Sequence, residues 1–321
     1  MKPMKRRTKR LLWAAVAVFV LLLAATVAGA FYLVDYALTA DHLNEREAYK
    51  SLYEHHPELR PWVDSLKQAE VLRDTFVVID GNKLHATLVA AKQPTNKVAV
   101  LIHGYKNSNV MMLDFGHIYY EQLGYNLLLP DLYGHGQSEG DHINMGWLDR
   151  KDVIQWLRVA DAAFKGDSAA TQMVLHGVSM GAATVMAMSG EQLPPSVKCI
   201  VEDCGYTCVF DQFKHNLKDE FGLPSFPLLN AASLVCRMKY DWGFGEASML
   251  EQVRKCRLPM LFIHGDNDDF VPTAMVNDLY AAKPQPKELY MGKGSAHALT
   301  LSDHRAEYAA RIAAFCNRYI H

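Results

Sequence analysis

The segment Gly177-Val178-Ser179-Met180-Gly181 has the residue types and spacing for nucleophilic catalysis. An apolar run, Met173-Val174-Leu175, leads into it, and the small, helix-favouring Ala182 and Ala183 follow. A serine between glycines at a strand-to-helix turn has its hydroxyl pushed out above a sheet. A side chain at either glycine would crowd that turn. The backbone N–H after the serine lies at a helix start, where it can bind an oxyanion. Such a five-residue pattern arises by chance in about one chain in ten of this length. Its weight therefore comes from the strand before it and the helix after it.

A serine hydroxyl is a weak nucleophile until a base takes its proton, and a third group must hold that base. After a turn of this kind the acid and then the histidine follow in chain order. The downstream histidines are His215, His264, His297, His304 and His321. His297 lies in a glycine-rich loop, Gly292 to Leu299, from which an imidazole can reach back over a sheet. His264 closes a strand and His304 belongs to the final helix. For the acid, Asp266, Asp268 and Asp269 share one loop and proximity does not choose between them. Asp268 is the first candidate, and Asp203, after an earlier strand, is the alternative location. A second oxyanion donor beside the Met180 N–H is expected from the Tyr105 N–H in Ile102-His103-Gly104-Tyr105-Lys106, with the Tyr105 side chain lining the pocket. His103 reads as an imidazole satisfied by backbone, and Pro130 to Gly140 as a glycine-rich scaffold loop.

These residues need a sheet to hold them. Residues 76–79 and 84–89 flank the turn Asp80-Gly81-Asn82-Lys83 and predict a hairpin. Short apolar runs follow at 98–102, 126–129, 173–175, 199–201, 260–263 and 288–290, separated by helical patterns. Nearly continuous apolar strands between helices imply a mostly parallel sheet covered on both faces, with the hairpin as its antiparallel edge. Residues 302–320 predict a last helix. The long excursion at about 205–257 is rich in aromatics and predicts a short helical lid, with Phe221, Phe226 and Trp242 as pocket candidates.

The ordered set HGY, D-x-x-GHGxSEG, GVSMG, HGDNDxFVP and GSAH resembles the α/β-hydrolase superfamily. It is most similar to the serine-aminopeptidase-like and monoacylglycerol-lipase-like branch, and in particular to bacterial hydrolases whose elbow reads G-[VI]-S-M-G-A. The resemblance covers about Asp74 to His321. It implies an α/β-hydrolase fold and a Ser179–His297–Asp268 triad, with Asp268 matching the acid of the pattern H-G-x-x-D-x-x-V-P. Tyr105 and Met180 match the oxyanion positions. No metal, nucleotide or other cofactor is implied.

The chain has 321 residues and a formal net charge of -2, which gives no reason to expect a nucleic-acid partner. Its basic residues crowd the first ten positions (Lys2, Lys5, Arg6, Arg7, Lys9 and Arg10), and an uncharged apolar run from Leu11 to Val34 follows. As a helix those residues span roughly 36 Å at about 1.5 Å per residue, enough to cross a hydrocarbon core of roughly 30 Å. The expected order is a basic cytoplasmic segment (1–10), a transmembrane anchor (11–34), a helical stalk packing on the domain (35–73) and an extracytoplasmic hydrolase domain (74–321). The alternative is a signal peptide cleaved near Ala30. The six cysteines form no C-x-x-C pair, and most read as small buried hydrophobes.

The expected activity is hydrolysis of an ester, thioester or amide through an acyl-enzyme. A carboxylesterase acting on a small, fairly apolar substrate comes first. An aminopeptidase or acyl-peptide hydrolase is the alternative, with Asp211, Glu220 or Glu246 available to grip a free amine. A non-catalytic, membrane-tethered binding protein on the same fold comes third, since every expected catalytic residue type is present.

Overall fold

The computed structural model describes residues 6–166 and 170–321. Lys2 and Lys5 of the basic cluster lie outside the described residues. Every apolar run singled out above is a strand: β1 (Leu72–Ile79), β2 (Asn82–Val89), β3 (Lys97–Ile102), β4 (Asn126–Pro130), β5 (Gln172–Val178), β6 (Val197–Asp203), β7 (Met260–Gly265) and β8 (Lys287–Gly292). They form one eight-stranded sheet in the order β1-β2-β4-β3-β5-β6-β7-β8. β1 pairs with β2 and β2 with β4 antiparallel, while every pair from β4 to β8 is parallel. Burial explains the two kinds of sequence. β4 and β7 are buried at every position, because helices cover both faces. β1 is the sheet's edge, and none of its residues is fully buried.

The helices are α1 (Arg6–Leu38), α2 (Glu45–His55), α3 (Arg60–Gln68), α4 (Leu113–His117), α5 (Asp149–Phe164), α6 (Met180–Met188), α7 (Val209–Phe221), α8 (Leu228–Tyr240), α9 (Met249–Lys255), α10 (Ala274–Ala282), α11 (Thr300–Asp303) and α12 (Arg305–Tyr319). Ala99 and Leu101 of β3, Leu127 of β4 and Val174 of β5 share one core with Leu52 of α2, Val63 of α3 and Phe315 of α12. The alternate residues Val98, Val100, Leu128 and Leu175 are also buried and point to the other face, as the period of two requires. There α5 and α6 pack on the central strands, and α9 and α10 pack beside them. The segment 45–68 is thus a helical layer on the core. Asn44 starts it by accepting the Glu47 N–H at 3.0 Å, an N-cap of the usual kind.

The chain divides into two compact units. The larger, Leu38–Val209 with Ala247–His321, contains the sheet and its covering helices. The smaller joins the residues up to Ala37 to Phe210–Glu246, so most of the predicted lid belongs with the N-terminal helix. Within it, Asp35 pairs with Lys239 at 2.7 Å and the Tyr36 ring meets Phe221 edge-on at 5.7 Å. Helix α1 contains the whole run Leu11–Val34, has a mean hydropathy of 2.7 over its most apolar stretch and is long enough to cross a membrane. All six cysteines are buried and unpaired.

Candidate active site

Ser179 stands between β5 and α6 with φ 56° and ψ -115°. A non-glycine residue held there stores on the order of 1–3 kcal/mol of backbone strain, so the surroundings must fix it. They do so by close approach. A Cβ at Gly177 would lie 2.0 Å from the Gly181 carbonyl oxygen, and one at Gly181 would lie 2.0 Å from the Ile102 carbonyl oxygen. Both positions therefore require glycine. The Ser179 N–H donates to the Asp203 carbonyl at 2.8 Å, tying the elbow to the end of β6.

The loop after β8 brings His297 over the elbow. The Ser179 hydroxyl donates to His297 Nε2 at 2.9 Å, and His297 Nδ1–H donates to Asp268 Oδ2 at 2.7 Å. A carboxylate accepts only, so the hydrogen-bond pattern places the imidazole proton on Nδ1 and leaves the Nε2 lone pair facing the serine. Asp268 is itself held: Oδ1 accepts the N–H groups of Phe270 at 3.1 Å and Val271 at 2.9 Å. Burial raises its pKa, but hydrogen bonds from His264, His297 and the Val271 N–H outweigh burial and keep the carboxyl well below its ordinary value.

The other aspartates are placed elsewhere. Asp266 accepts the Gly294 N–H and thereby shapes the histidine loop, while Asp269 is exposed. Asp203, the alternative acid, accepts the Tyr308 hydroxyl at 2.7 Å, and burial pushes its pKa up to about 6. It supports the elbow from below. His264 Nε2 donates to the Val271 carbonyl at 2.9 Å and lies 3.3 Å from Asp268 Oδ2, so it anchors the acid loop.

On the opposite side, the loop after β3 runs against the elbow. A Cβ at Gly104 would be only 3.4 Å from the Val178 carbonyl and 3.5 Å from Ser179 Cβ, which puts Tyr105 beside the serine. Met180 is the first residue of α6, so its N–H has no acceptor within the helix. His103 Nε2 accepts the Leu132 N–H at 3.0 Å and His135 Nε2 accepts the Lys106 N–H at 3.3 Å, pinning this loop to the 130–140 segment. Burial holds both imidazoles below their ordinary pKa, His135 near 3, as neutral acceptors require.

Ser179 and His297 open into a cleft of about 740 Å³. Its walls near the serine are apolar, with Tyr105, Met111, Phe115, Phe270 and Leu299. Its other lining is polar: His56, Glu58, Asp114 and Arg305. Arg305 pairs with Asp114 at 2.7 Å, and His56 Nε2 lies 3.6 Å from the same carboxylate. The cleft's lining residues all belong to the larger unit and include Tyr105, one of the pocket candidates. Phe221, Phe226 and Trp242 belong to the smaller unit and do not line it. Trp242 is fully buried there and packs against Phe244, while Phe226 is exposed. Glu220 and Glu246, expected to grip an amine, instead accept from Tyr36 and Arg237. The polar lining was missed because its residues are scattered between positions 56 and 305, and no motif marks them.

Two clusters gather metal-type ligands among the described residues. Cys204, Asp268 and His297 bring ligand atoms within 4.8 Å of one another, as do His56, Glu58 and Asp114. In the first, burial and nearby carboxylates drive the Cys204 thiol far up, so it stays protonated and is a poor ligand. In the second, the Arg305 guanidinium already neutralises Asp114.

Comparison with known proteins agrees with this architecture. Residues 93–202 match the family model described as serine aminopeptidase, S33. The chain is 29% identical to the Bacillus subtilis protein YqkD over 70% of this chain and 72% of that protein. In fold it is similar to the Pyrococcus furiosus esterase Pf2001, with TM-score 0.63 and 20% identity over 78% of this chain and 91% of that one. It is also similar to the Pyrococcus horikoshii acylaminoacyl peptidase, with TM-score 0.59 and 16% identity over 78% of this chain and 41% of that one. The fold is thus that of the α/β hydrolases, and residues 93–202 resemble the serine aminopeptidase family.

Proposed function

We propose that the protein is a serine hydrolase that cleaves carboxylic esters through an acyl-enzyme, with Ser179 as nucleophile, His297 as general base and then acid, and Asp268 as the group that orients and charges the imidazole. The observation that carries this reading is the unbroken chain from Asp268 Oδ2 through His297 to the Ser179 hydroxyl, at 2.7 and 2.9 Å, on the floor of a cleft. As Oγ attacks a carbonyl, its proton passes to His297 Nε2. The oxyanion forms where the N–H groups of Met180 and Tyr105 converge, and each such donor contributes roughly 10²–10³-fold. His297 then protonates the leaving group, and water, activated by the same Nε2, releases the acid.

The apolar wall around Ser179 supports a small, fairly apolar acyl or aryl group. A peptidase reading has one specific support, the acidic pair Glu58 and Asp114 in the cleft, which could meet a free amine. Arg305 offsets half of that charge and favours the esterase. We further propose that α1 is an uncleaved anchor, with the basic residues cytoplasmic and the catalytic unit outside. The apolar run is long for a signal peptide and continues past Ala30 through Phe31-Tyr32-Leu33-Val34, which favours an uncleaved anchor.

A fluorophosphonate probe tests the chemistry. Wild type should label and Ser179→Ala should not; equal labelling of the two, or none of either, removes the assignment. p-Nitrophenyl esters assayed beside aminoacyl-p-nitroanilides then separate esterase from peptidase.

A further inference from the structure

The smaller unit exposes apolar side chains that nothing in the catalytic reading uses. Phe226 is 75% exposed, Met238 74% and Leu234 60%, and Leu223 is exposed beside them. Leu223 and Phe226 lie in the turn between α7 and α8. Leu234 and Met238 are four residues apart, on one face of α8, opposite the buried Leu229, Ala232, Val235 and Cys236. The helix thus has two apolar faces, one packed and one bare.

Contacts with α1 fix how deep this surface lies. At the upper end of α8, Lys239 pairs with Asp35, the first charged residue after the apolar run. At its lower end, Leu228 packs on Gly29: a Cβ there would be 3.0 Å from Leu228 Cδ1. Gly29 is six residues before Asp35, about 9 Å further along the helix and inside the apolar run. Phe226, two residues before Leu228, is therefore level with the apolar part of the anchor, whereas Phe221 on the other side of the turn meets Tyr36, next to Asp35. Around it α1 presents Val27, Phe31 and Tyr32, all exposed, so the apolar surface is continuous from anchor to hairpin.

We propose that the α7–α8 hairpin is a membrane-inserted element: its turn at Leu223 and Phe226, with Leu234 above it, enters the outer leaflet beside α1, while the Asp35–Lys239 pair marks the headgroup level. The occupant of the bare face is lipid. This rests on α1 being a retained anchor. An aromatic at a turn and apolar residues just inside the first charge suit the bilayer interface, where amphipathic side chains concentrate.

The test uses the full chain reconstituted in phosphatidylcholine–phosphatidylglycerol vesicles. The native cysteines are all buried, so an environment-sensitive maleimide dye reports Phe226→Cys, with Lys214→Cys on the exposed polar side of α7 as the aqueous reference. Dye at 226 should shift to the blue, be quenched by doxyl-labelled lipid and be shielded from aqueous iodide; dye at 214 should show the reverse. Quenching of 226 by iodide as strongly as 214 overturns the proposal. So does shielding of 226 from both quenchers, which would mean protein, from a second copy or the rest of the chain, covers the face. Alkaline extraction of the same vesicles separates the two readings. Release of the chain removes the anchor itself, whereas a retained chain with a wet residue 226 removes only the hairpin insertion.

Discussion

Ser179 owes its place in the site to two glycines of its own motif and to one residue far outside it. Gly177 and Gly181 permit the turn, and His297 arrives from a loop more than a hundred residues downstream. The sequence identified His297 because a glycine-rich loop after the last strand can carry an imidazole back over a sheet. It put Asp268 first through the pattern that residue matches, but proximity alone did not separate it from Asp266 and Asp269, since three aspartates in one loop differ only in the direction of a side chain. Two backbone N–H groups, of Phe270 and Val271, make that choice by clamping Oδ1 of Asp268. An Asp268→Asn substitution therefore leaves an oxygen for the clamp but removes the charge behind the imidazole and perturbs its tautomer. The expected result is a fall in kcat of roughly 10⁴-fold with little change in KM or in melting temperature. Steady-state kinetics on a p-nitrophenyl ester check it, and a loss under tenfold would mean another group holds His297.

The elements were legible where burial imposes a period. Strands β3 to β7 each contain a short unbroken apolar run because both faces are covered, whereas the first half of the edge strand β1 is polar and only Phe76–Ile79 is apolar. Less legible was how the loops at the sheet's edge are tied together, since that depends on buried polar pairs. Asp131, at the end of β4, accepts His85 Nδ1 at 2.7 Å and the N–H groups of Asn109 at 2.8 Å and Gln137 at 3.0 Å. Burial lowers the His85 pKa, but Asp131 and Asp74 outweigh it and hold the imidazole near 9. Burial likewise raises Asp131, and its bonds to His85 and the two N–H groups take it below the ordinary value. The signs follow by linkage. The raised histidine contributes stability in full below about pH 6.5 and loses it as pH rises through 9; the depressed aspartate contributes above about pH 4 and loses it as pH falls. Wild-type melting temperature should hence decline between pH 6.5 and 9.5. His85→Gln should cost about 3–5 kcal/mol near neutrality, by leaving a buried carboxylate unpaired, and should flatten that decline. Thermal melts across the two pH values would refute the pairing if both proteins fell in parallel.

For the molecule as a whole, the least legible feature was the substrate cleft. The sequence placed Tyr105 in it and added Phe221, Phe226 and Trp242 of the excursion at 205–257, on the reasoning that an insertion after a strand roofs the site. Its lining comes from the helical layer at 45–68, the loops after β3, β7 and β8, the elbow, α4, α11 and α12, and no local pattern relates residues so far apart. On the proposed function, the charged groups at its polar lining would set a selectivity that the apolar wall cannot. Asp114 is nearly buried and depends on Arg305 for its counter-charge, while Glu58 is 59% exposed. Arg305→Gln would leave two carboxylates facing a bound substrate with only His56 beside them. An ester carrying a free amine should then gain on a neutral ester of the same size, while one carrying a carboxylate should lose. A single partly buried charge interaction of about 1–2 kcal/mol converts to a change of roughly five- to thirty-fold in the ratio of kcat/KM values. Hydrolysis of matched amino, neutral and carboxylate p-nitrophenyl esters by both proteins measures that ratio. An unchanged ratio with unchanged stability would mean that substrate never reaches Arg305, and that selection takes place at the apolar wall beside Ser179.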